Sequence, residues 1–247
     1  TKLETLLSPD KEIMDLKIQE ILPVEKLQKF QDAFAVANSV ASVITDPEGN
    51  PITEPSNFTK TCFLIRQSPE GRRRCFLSDQ ELGRKSSLAK KPIIDKCKGC
   101  GFIDAAAPII INDKHVANWL IGQSNTGEVD EQKIKAYAKE IKINESDLLE
   151  AFREIDDMPL AQFNAIVNLL WITAGEISEM AFRNLMLAKE LEEKKNNKLA
   201  LKASESKYKK LYENAPVILL SVSPTGVITR ANKAAYQLFG NDLVYSP

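Results

Sequence analysis

The sequence predicts an α+β protein in which an antiparallel sheet with flanking helices is followed by a long C-terminal coiled-coil helix. Three observations support this prediction. Residues 40–46, 103–111 and 116–123 are rich in β-branched or small apolar side chains and are separated by turn sequences, which favours short antiparallel strands. Segments with apolar residues at spacings of three and four lie around these strands, which is typical of amphipathic helices. After Pro159 the same spacing continues for about four heptads, which indicates a coiled coil.

The composition excludes several classes of protein. The chain has 247 residues, of which 43% are hydrophobic and 27% charged, so it is long enough for one large domain or two small ones. Its 33 basic and 34 acidic residues give a net charge of -1, which provides no global electrostatic case for binding nucleic acid or an anionic membrane. The apolar runs are shorter than the roughly 20 residues that span a bilayer. We therefore expect a cytoplasmic protein with neither nucleic acid nor membrane as a partner.

The first half of the chain predicts the sheet and the helices inserted into it. Residues 10–22 form an amphipathic leader that Pro23 ends, and a helix is expected over residues 25–38. The strand at residues 40–46 is followed by a Pro-Glu-Gly-Asn turn, so that a hairpin ends near Thr53. Residues 57–91 are expected to form helices interrupted at residues 68–71. The remaining strands then follow at residues 103–111 and 116–123.

The second half is predicted to be mainly helical. Apolar spacing indicates a helix after Asp130, and Ser146 and Asp147 could cap another that continues to Ile155. The a and d positions of the long helix are Phe163, Ile166, Leu170, Thr173, Ile177, Met180, Asn184, Leu187 and Leu191. Its first half could instead pack on its own domain, but residues after Ala188 offer no core. We expect that part to stand in solvent or to pair in a homodimer, with Asn184 fixing the register.

The chemistry-bearing side chains are concentrated between residues 56 and 123. This segment holds all four cysteines, the single histidine, His115, and one of the two tryptophans, Trp119. In a reducing cytosol, clustered cysteines bind metal or act in redox chemistry more often than they form disulfides. Zinc or an iron–sulfur cluster is the leading expectation, and reduced structural thiols, disulfides or a redox switch remain alternatives. The expected metal ligands are Cys62, Cys75, Cys97 and Cys100.

The last segment resembles the opening of a PAS domain. The matching features are the helix with Tyr208 and Tyr212, the Glu-Asn-Ala-Pro run at residues 213–216, the hairpin around residues 224–226, and Arg-Ala-Asn at residues 230–232. Only about 44 residues of that pattern are present. The resemblance therefore implies a truncated PAS start.

Residues 27–123 resemble the PocR-type sensory domain. The motifs are Phe-Gln-Asp-Ala-Phe at 30–34, Val-Ile-Thr-Asp at 43–46, Glu-Pro-Ser-Asn-Phe at 54–58, Cys-Phe-Leu-Ile-Arg at 62–66, Pro-Glu-Gly-Arg-Arg-Arg-Cys at 69–75, Cys97, Ala-Pro-Ile at 107–109 and Gly-Gln at 122–123. The family implies a PAS-like fold that senses small hydrocarbon derivatives such as short alcohols and diols. It also implies a place ahead of a kinase, cyclase or transcription-factor output. Here the third cysteine is followed by Lys-Gly-Cys, which supplies a fourth thiol.

A small-molecule ligand of this kind would suit an apolar pocket between the sheet and the helices that carry Cys62 and Cys75. The expected pocket residues are Phe34, Phe63, Ile65, Phe102, Trp119 and Gln123.

These expectations divide the chain into a leader at residues 1–23, a PocR-type sensory domain at 24–159, a signalling helix at 160–203 and the N-terminal part of a PAS domain at 204–247. We interpret it as the sensory input region of a signal-transduction protein such as the sensor histidine kinase of a two-component system. No catalytic residues are expected, and any enzyme activity would lie beyond residue 247. The alternative is a thiol-based redox sensor or oxidoreductase that uses Cys97 and Cys100. Thioredoxin-like motifs open a helix, however, whereas this one precedes a predicted strand.

Overall fold

The computed structural model describes residues 17–124 and 130–240, except for the side chains of Gln123 and Ser124. It has the predicted α+β class, with a four-stranded antiparallel sheet, flanking helices and a long C-terminal helix. Most of the predicted leader lies outside the described residues. The chain divides into two compact units at Ala188, and each unit is described by itself below.

The first unit contains the sheet and most of the helices. Its elements are α1 (Ile18–Ile21), α2 (Val24–Asn38), β1 (Ala41–Thr45), α3 (Lys60–Gln67), α4 (Pro69–Ala89), β2 (Ile93–Lys96), β3 (Ile103–Ile111), β4 (Lys114–Ser124), α5 (Glu131–Ile141), α6 (Glu145–Arg153) and the first part of α7 (Leu160–Glu213). Strand β2 was not predicted, because four residues with two charges give no period-two signal. The cap of α6 is Asn144, whose side chain accepts from two backbone N–H groups, and not Ser146 or Asp147.

The strand order β1-β4-β3-β2 places the first strand beside the last, with the helical insertion in between. All neighbours are antiparallel, and Trp119 of β4 lies opposite both Ile44 of β1 and Ala107 of β3. The expected hairpin after β1 is reduced to isolated bridges at Pro51 and Ser56. This arrangement agrees with the PAS-like sheet that the sequence predicts.

Both faces of the sheet are covered. On one face Ile44, Ile109 and Trp119 belong to a core cluster with residues of α2 and α7. On the other face Val43, Ala106 and Leu120 pack with Leu82 of α4. Because side chains alternate along a strand, neighbours such as Trp119 and Leu120 face opposite layers.

The first part of α7 is a core helix of its own domain. Its buried positions are Phe163, Ile166, Val167, Leu170, Ala174, Ile177, Ala181, Leu185 and Ala188. Phe163 and Leu170 are therefore buried, as their predicted core positions require, but they pack toward the sheet of the same chain. Thr173 is half-buried and Asn184 is exposed, so neither belongs to the buried face of the first unit. The buried positions follow one another mainly at spacings of three and four, as the 3.6-residue turn requires. Thr173 and Asn184 do not lie on that face of the helix.

Helix α7 is long and apolar enough to cross a membrane by length and composition alone. A core helix of a soluble protein passes the same test. In α7, Phe163, Leu170 and Ile177 are buried in the main core cluster of the first unit.

The second unit holds the end of α7, a hairpin of β5 (Leu220–Val222) and β6 (Ile228–Ala231), and α8 (Lys233–Phe239). Asn232 is fully buried and links these parts. Its carboxamide oxygen accepts from the N–H groups of Leu219 and Ala235, and its nitrogen donates to the carbonyls of Tyr212 and Val217. Asn232 thus ties the end of α7, the hairpin and α8 together.

Candidate functional site

The four cysteines lie together between the sheet and the inserted helices. Cys62 is on α3, Cys75 is on α4, and Cys97 and Cys100 are in the turn between β2 and β3. Cys62, Cys75 and Cys97 line one cavity of about 30 Å³, which we call the thiol cavity. All four cysteines are free, and only Cys100 is half-buried rather than buried.

Local sequence fixes the two helices that carry the first cysteines. The Thr59 hydroxyl accepts from the backbone N–H of Cys62 and begins α3. Ser68 accepts from the N–H of Gly71 and, with Pro69 in the first turn, begins α4. A Cβ on Gly71 would collide with the carbonyl oxygen of Ile65. Glycine at this position therefore allows the end of α3 to approach the start of α4.

The other two cysteines lie in a tight turn closed by hydrogen bonds. The N–H of Gly101 donates to the carbonyl of Cys97 over 2.7 Å, and Gly101 adopts φ of +79°. Gly99 lies against Cys75, because an added Cβ would be 3.0 Å from the Cys75 Sγ and 3.6 Å from the Cys97 Sγ. Glycine at both positions allows this turn to lie close against the Cys75 sulfur on α4.

The turn favours the thiolate form of Cys97. The Cys100 thiol donates to the Cys97 sulfur and lowers the pKa of Cys97, and the N–H groups of Cys100 and Gly99 act in the same direction. Hydrogen bonding to Cys62 and Cys97 raises the pKa of Cys100, because its proton is shared with both sulfurs. Burial raises the pKa of Cys75. Of these three thiols, Cys97 is consequently the one that its surroundings make most acidic.

Arg66 supplies the positive charge of the site. Its guanidinium donates to the Asp79 carboxylate over 2.9 Å and lies over the Phe58 ring, 4.9 Å from the ring centroid. Burial acts against the charge, but Asp79 and the neighbouring Cys75 raise the pKa of Arg66 overall. Burial also raises the pKa of Asp79 to about 7 in spite of Arg66. The Arg66 Nε atom is buried with no hydrogen-bond partner among the described residues.

Asp104 of β3 completes the polar lining of the thiol cavity. It lies over Gly122 of β4, where a Cβ would collide with its carboxylate. Burial is the first cause that raises its pKa, and the negative charge of Cys97 adds to it. The cavity therefore contains acidic groups and thiols in excess over one guanidinium, a composition that favours protons or a cation.

The fit to a metal ion is partial. Four thiols have the chemistry of a zinc or iron–sulfur site, in which zinc bonds sulfur at about 2.3 Å. Within residues 17–124 and 130–240, however, no group of three or more His, Cys, Asp or Glu side chains has the spacing of a metal site. Metal binding at the thiols would require them to move into a tighter arrangement.

The structure separates the residues that were predicted to line a ligand pocket. Phe34 and Trp119 lie on the opposite face of the sheet, with ring centroids 5.1 Å apart. Trp119 is fully buried, and its indole Nε1 donates to the Ser42 hydroxyl over 2.7 Å. They are core residues on the far side of the sheet from Leu120, which lines the thiol cavity.

The other predicted pocket residues do not line the cavity either. Ile65 and Phe102 are buried in a third cluster with α5 and α6, where Phe102 packs on Phe152. This cluster also contains Cys75, so it reaches one of the thiols. Phe63 is 51% exposed. The side chain of Gln123 lies outside the described part of the structure. Those that are described do not converge, and they are absent from the lining of the thiol cavity.

Sequence reasoning missed Phe58, Arg66, Asp79 and Asp104. A signal for two of them was present, because Arg66 follows Cys62 and Asp79 follows Cys75 at helical i,i+4 spacing. Residues at that spacing lie on the same face of a helix. A charged residue one turn after each cysteine could thus have been placed beside the thiols.

Comparisons with known proteins agree with the resemblance noted in the sequence. A family model described as the sensory domain found in PocR matches residues 20–182. The regulatory protein PocR of Salmonella typhimurium is 30% identical over 146 residues, which cover 59% of this chain and 48% of that protein. The chain thus spans about half the length of this curated relative.

A solved structure, the complex of Escherichia coli DhaR(N) with DhaL, aligns with 91% of this chain and 70% of its own chain. The identity is 10% and the TM-score is 0.28, and a likeness at this level supports no argument about fold or function.

Proposed function

Because the chain belongs to the family of PocR sensory domains, we propose that it is the input region of a regulatory protein and that its stimulus acts at the thiol cavity. The observation that supports this proposal is the meeting of Cys62, Cys75 and Cys97 with Arg66 and Asp104 around one cavity. These residues come from α3, α4, β3 and the turn after β2. A stimulus bound there would link the helical insertion to the sheet.

The leading stimulus is a soft metal, either zinc or an iron–sulfur cluster, held by the four cysteines. Thiolates are the ligands that such metals prefer. Cys97 ionises readily, and Arg66 lies near enough to offset part of the negative charge of several thiolates. The binding energy would become part of the folding energy, since the ligands come from separate elements.

The second candidate is a short alcohol or diol. The unpartnered Nε of Arg66 could donate to a hydroxyl, and Phe58 and Leu120 offer apolar walls. A cavity of about 30 Å³ matches the volume of a single water in the liquid, so this ligand requires the cavity to open. The metal requires only that the thiols draw together.

The rest of the chain suits signalling better than catalysis. Cys97 and Cys100 lie in a turn between strands and not at the start of a helix, which disfavours a thioredoxin-like oxidoreductase. A sensor acts by shifting the balance between two arrangements of the protein. We propose that α7 carries that shift in a cytoplasmic homodimer toward a downstream output, such as the kinase of a two-component system, through the PAS-like start of the second unit.

Elemental analysis with an absorption spectrum of anaerobically purified protein tests the leading candidate. We expect one zinc per chain without visible absorption, or iron and sulfide with it. The variants Cys62→Ser, Cys75→Ser, Cys97→Ser and Cys100→Ser should each lose the metal, and the exposed-site control Phe63→Ala should retain it. A metal-free protein that gains no thermal stability from added zinc would contradict the metal proposal. Stabilisation of such a protein by 1,2-propanediol would favour the second candidate.

A further inference from the structure

Two cavities of the first unit meet at the Phe58 side chain. The inner one is the thiol cavity. The outer cavity has a volume of about 440 Å³ and is lined by Ser39, Ala41, Asn57, Phe58, Thr59, Glu154, Ile155, Asp156, Asp157, Met158 and Gln162. Ala41 and Phe58 line both cavities. The wall between a solvent-facing space and the thiols is therefore made at this point by these two residues.

The thiols need such a route. Cys62, Cys75 and Cys97 have relative exposures of 6%, 5% and 9%. A reagent or metal ion from solvent cannot reach three buried sulfurs without a local opening.

Of the two shared residues, Phe58 is the one that can move. Ala41 is paired with Gly122 in the sheet and has only a methyl group. Phe58 lies between the bridge at Ser56 and the start of α3 at Lys60, outside any helix or strand. The Phe58 ring also meets the half-exposed Phe63 ring at a centroid distance of 6.0 Å. A change of side-chain rotamer can displace this ring without breaking a strand or a helix.

We propose that Phe58 is a gate between the outer cavity and the thiol cavity, and that the outer cavity is the entry route to the thiols. The inference deepens the proposed function, because it rests on the thiol cavity as the place where the stimulus acts. Arg66 holds the gate closed through its cation–π contact with the Phe58 ring. A stimulus that draws the Arg66 guanidinium toward the thiols weakens that contact, so occupancy of the inner cavity is coupled to the position of Phe58.

The charge of the outer cavity determines which ions and reagents are concentrated there. The described lining of the outer cavity includes the carboxylates of Glu154, Asp156 and Asp157 and no basic side chain. Lys60 at the start of α3 pairs with Glu154 over 3.1 Å and offsets one of them. A negative entry raises the local concentration of cations and lowers that of anions. Metal cations therefore reach the thiols by this route more readily than anionic reagents.

The test measures alkylation of each cysteine by the neutral reagent N-ethylmaleimide in the metal-free full chain, resolved by peptide mass spectrometry. Phe58→Ala should speed modification of Cys62, Cys75 and Cys97 roughly tenfold, because the rate at a buried group follows the population of its open form. Phe58→Trp should slow it. The matched control Phe30→Ala alters a half-exposed aromatic residue of α2 that lines neither cavity, and it should leave the rates unchanged.

Unchanged rates in both Phe58 variants would overturn the gate, as would an equal acceleration in Phe30→Ala. Rates measured in guanidinium must agree among all variants, so that differences report the folded state. The equilibrium metal content of Phe58→Trp should remain that of the parent while uptake slows. A protein that binds no metal fails the proposed function but leaves the alkylation test of the gate intact.

Discussion

The guanidinium of Arg66 and the carboxylate of Asp79 lie 2.9 Å apart and join α3 to α4. Each residue follows a cysteine of its own helix at i,i+4 spacing, Cys62 for Arg66 and Cys75 for Asp79. The side chains of both are largely buried, with exposures of 17% and 9%. This ion pair therefore sets the distance between the two helices at the level of the thiols.

Loss of one partner of the pair should be more damaging than loss of both. We expect Arg66→Met to lower the free energy of unfolding by about 3 kcal/mol, because Asp79 stays buried without its ion-pair partner and must either carry an unpaired charge or take up a proton. Arg66→Met combined with Asp79→Leu should recover most of that loss. Urea denaturation followed by circular dichroism measures both.

The control for this pair is Arg73→Met, which removes an exposed ion pair with Glu70 and should change stability little. If the double variant were no more stable than Arg66→Met, the buried charge would not be the cause of the loss.

Two helical glycines should respond in opposite directions to alanine. Gly71→Ala places a Cβ against the Ile65 carbonyl and must push α4 away from α3, which should cost about 2 kcal/mol of unfolding free energy. Gly175→Ala on α7 meets no atom within 4 Å and should stabilise the protein by about 1 kcal/mol. Thermal unfolding of the two variants is the measurement. A stabilised Gly71→Ala would show that the helices do not require this close approach.

Trp119 should matter for stability and not for the thiol cavity. Ser42→Ala removes the acceptor of the buried indole N–H and should lower the unfolding free energy by about 2 kcal/mol. Trp119→Phe removes the donor as well as part of the ring and should also destabilise. Because Trp119 faces the opposite layer of the sheet, Trp119→Phe should not alter metal content or N-ethylmaleimide reactivity per folded molecule, whereas Ser42 also lines the thiol cavity. A selective loss of ligand binding in Trp119→Phe would contradict this prediction and show that Trp119 takes part in binding.

Truncation within α7 should separate the core from the proposed dimer. A chain that ends at Ala161 loses Phe163, Leu170 and Ile177 from the main core and should not fold. A chain that ends at Ala188 retains every buried position of that cluster and should give a cooperative unfolding transition. Cooperative folding of the shorter chain would show that α7 is dispensable for the core.

Analytical ultracentrifugation of the chain ending at Ala188 then tests the dimer. If residues after Ala188 form the interface, this chain should be monomeric while the complete chain is dimeric. A truncated chain that remains dimeric would locate the interface in the first unit.

The sequence alone predicts the elements and the family, because both depend on local patterns. β-branched runs between turns predict β1, β3 and β4, and apolar spacing predicts α2, α5 and α7. The clustering of the cysteines within residues 56–123 also predicted that they share one region. The short charged strand β2 has no such local pattern and was missed.

Only the tertiary structure decides which layer each side chain enters. The register of β4 against β1 places the Trp119 side chain in the layer formed with α2 and α7. The next residue, Leu120, then lines the thiol cavity on the other face. The docking of α7 on that same layer turns its apolar stripe toward the sheet and leaves Asn184 in solvent. Arg66 and Phe58 line the thiol cavity beside Leu120, because α3 packs against α4 and α4 covers that face of the sheet. These outcomes depend on contacts between residues far apart in the chain, and no local period in the sequence encodes them.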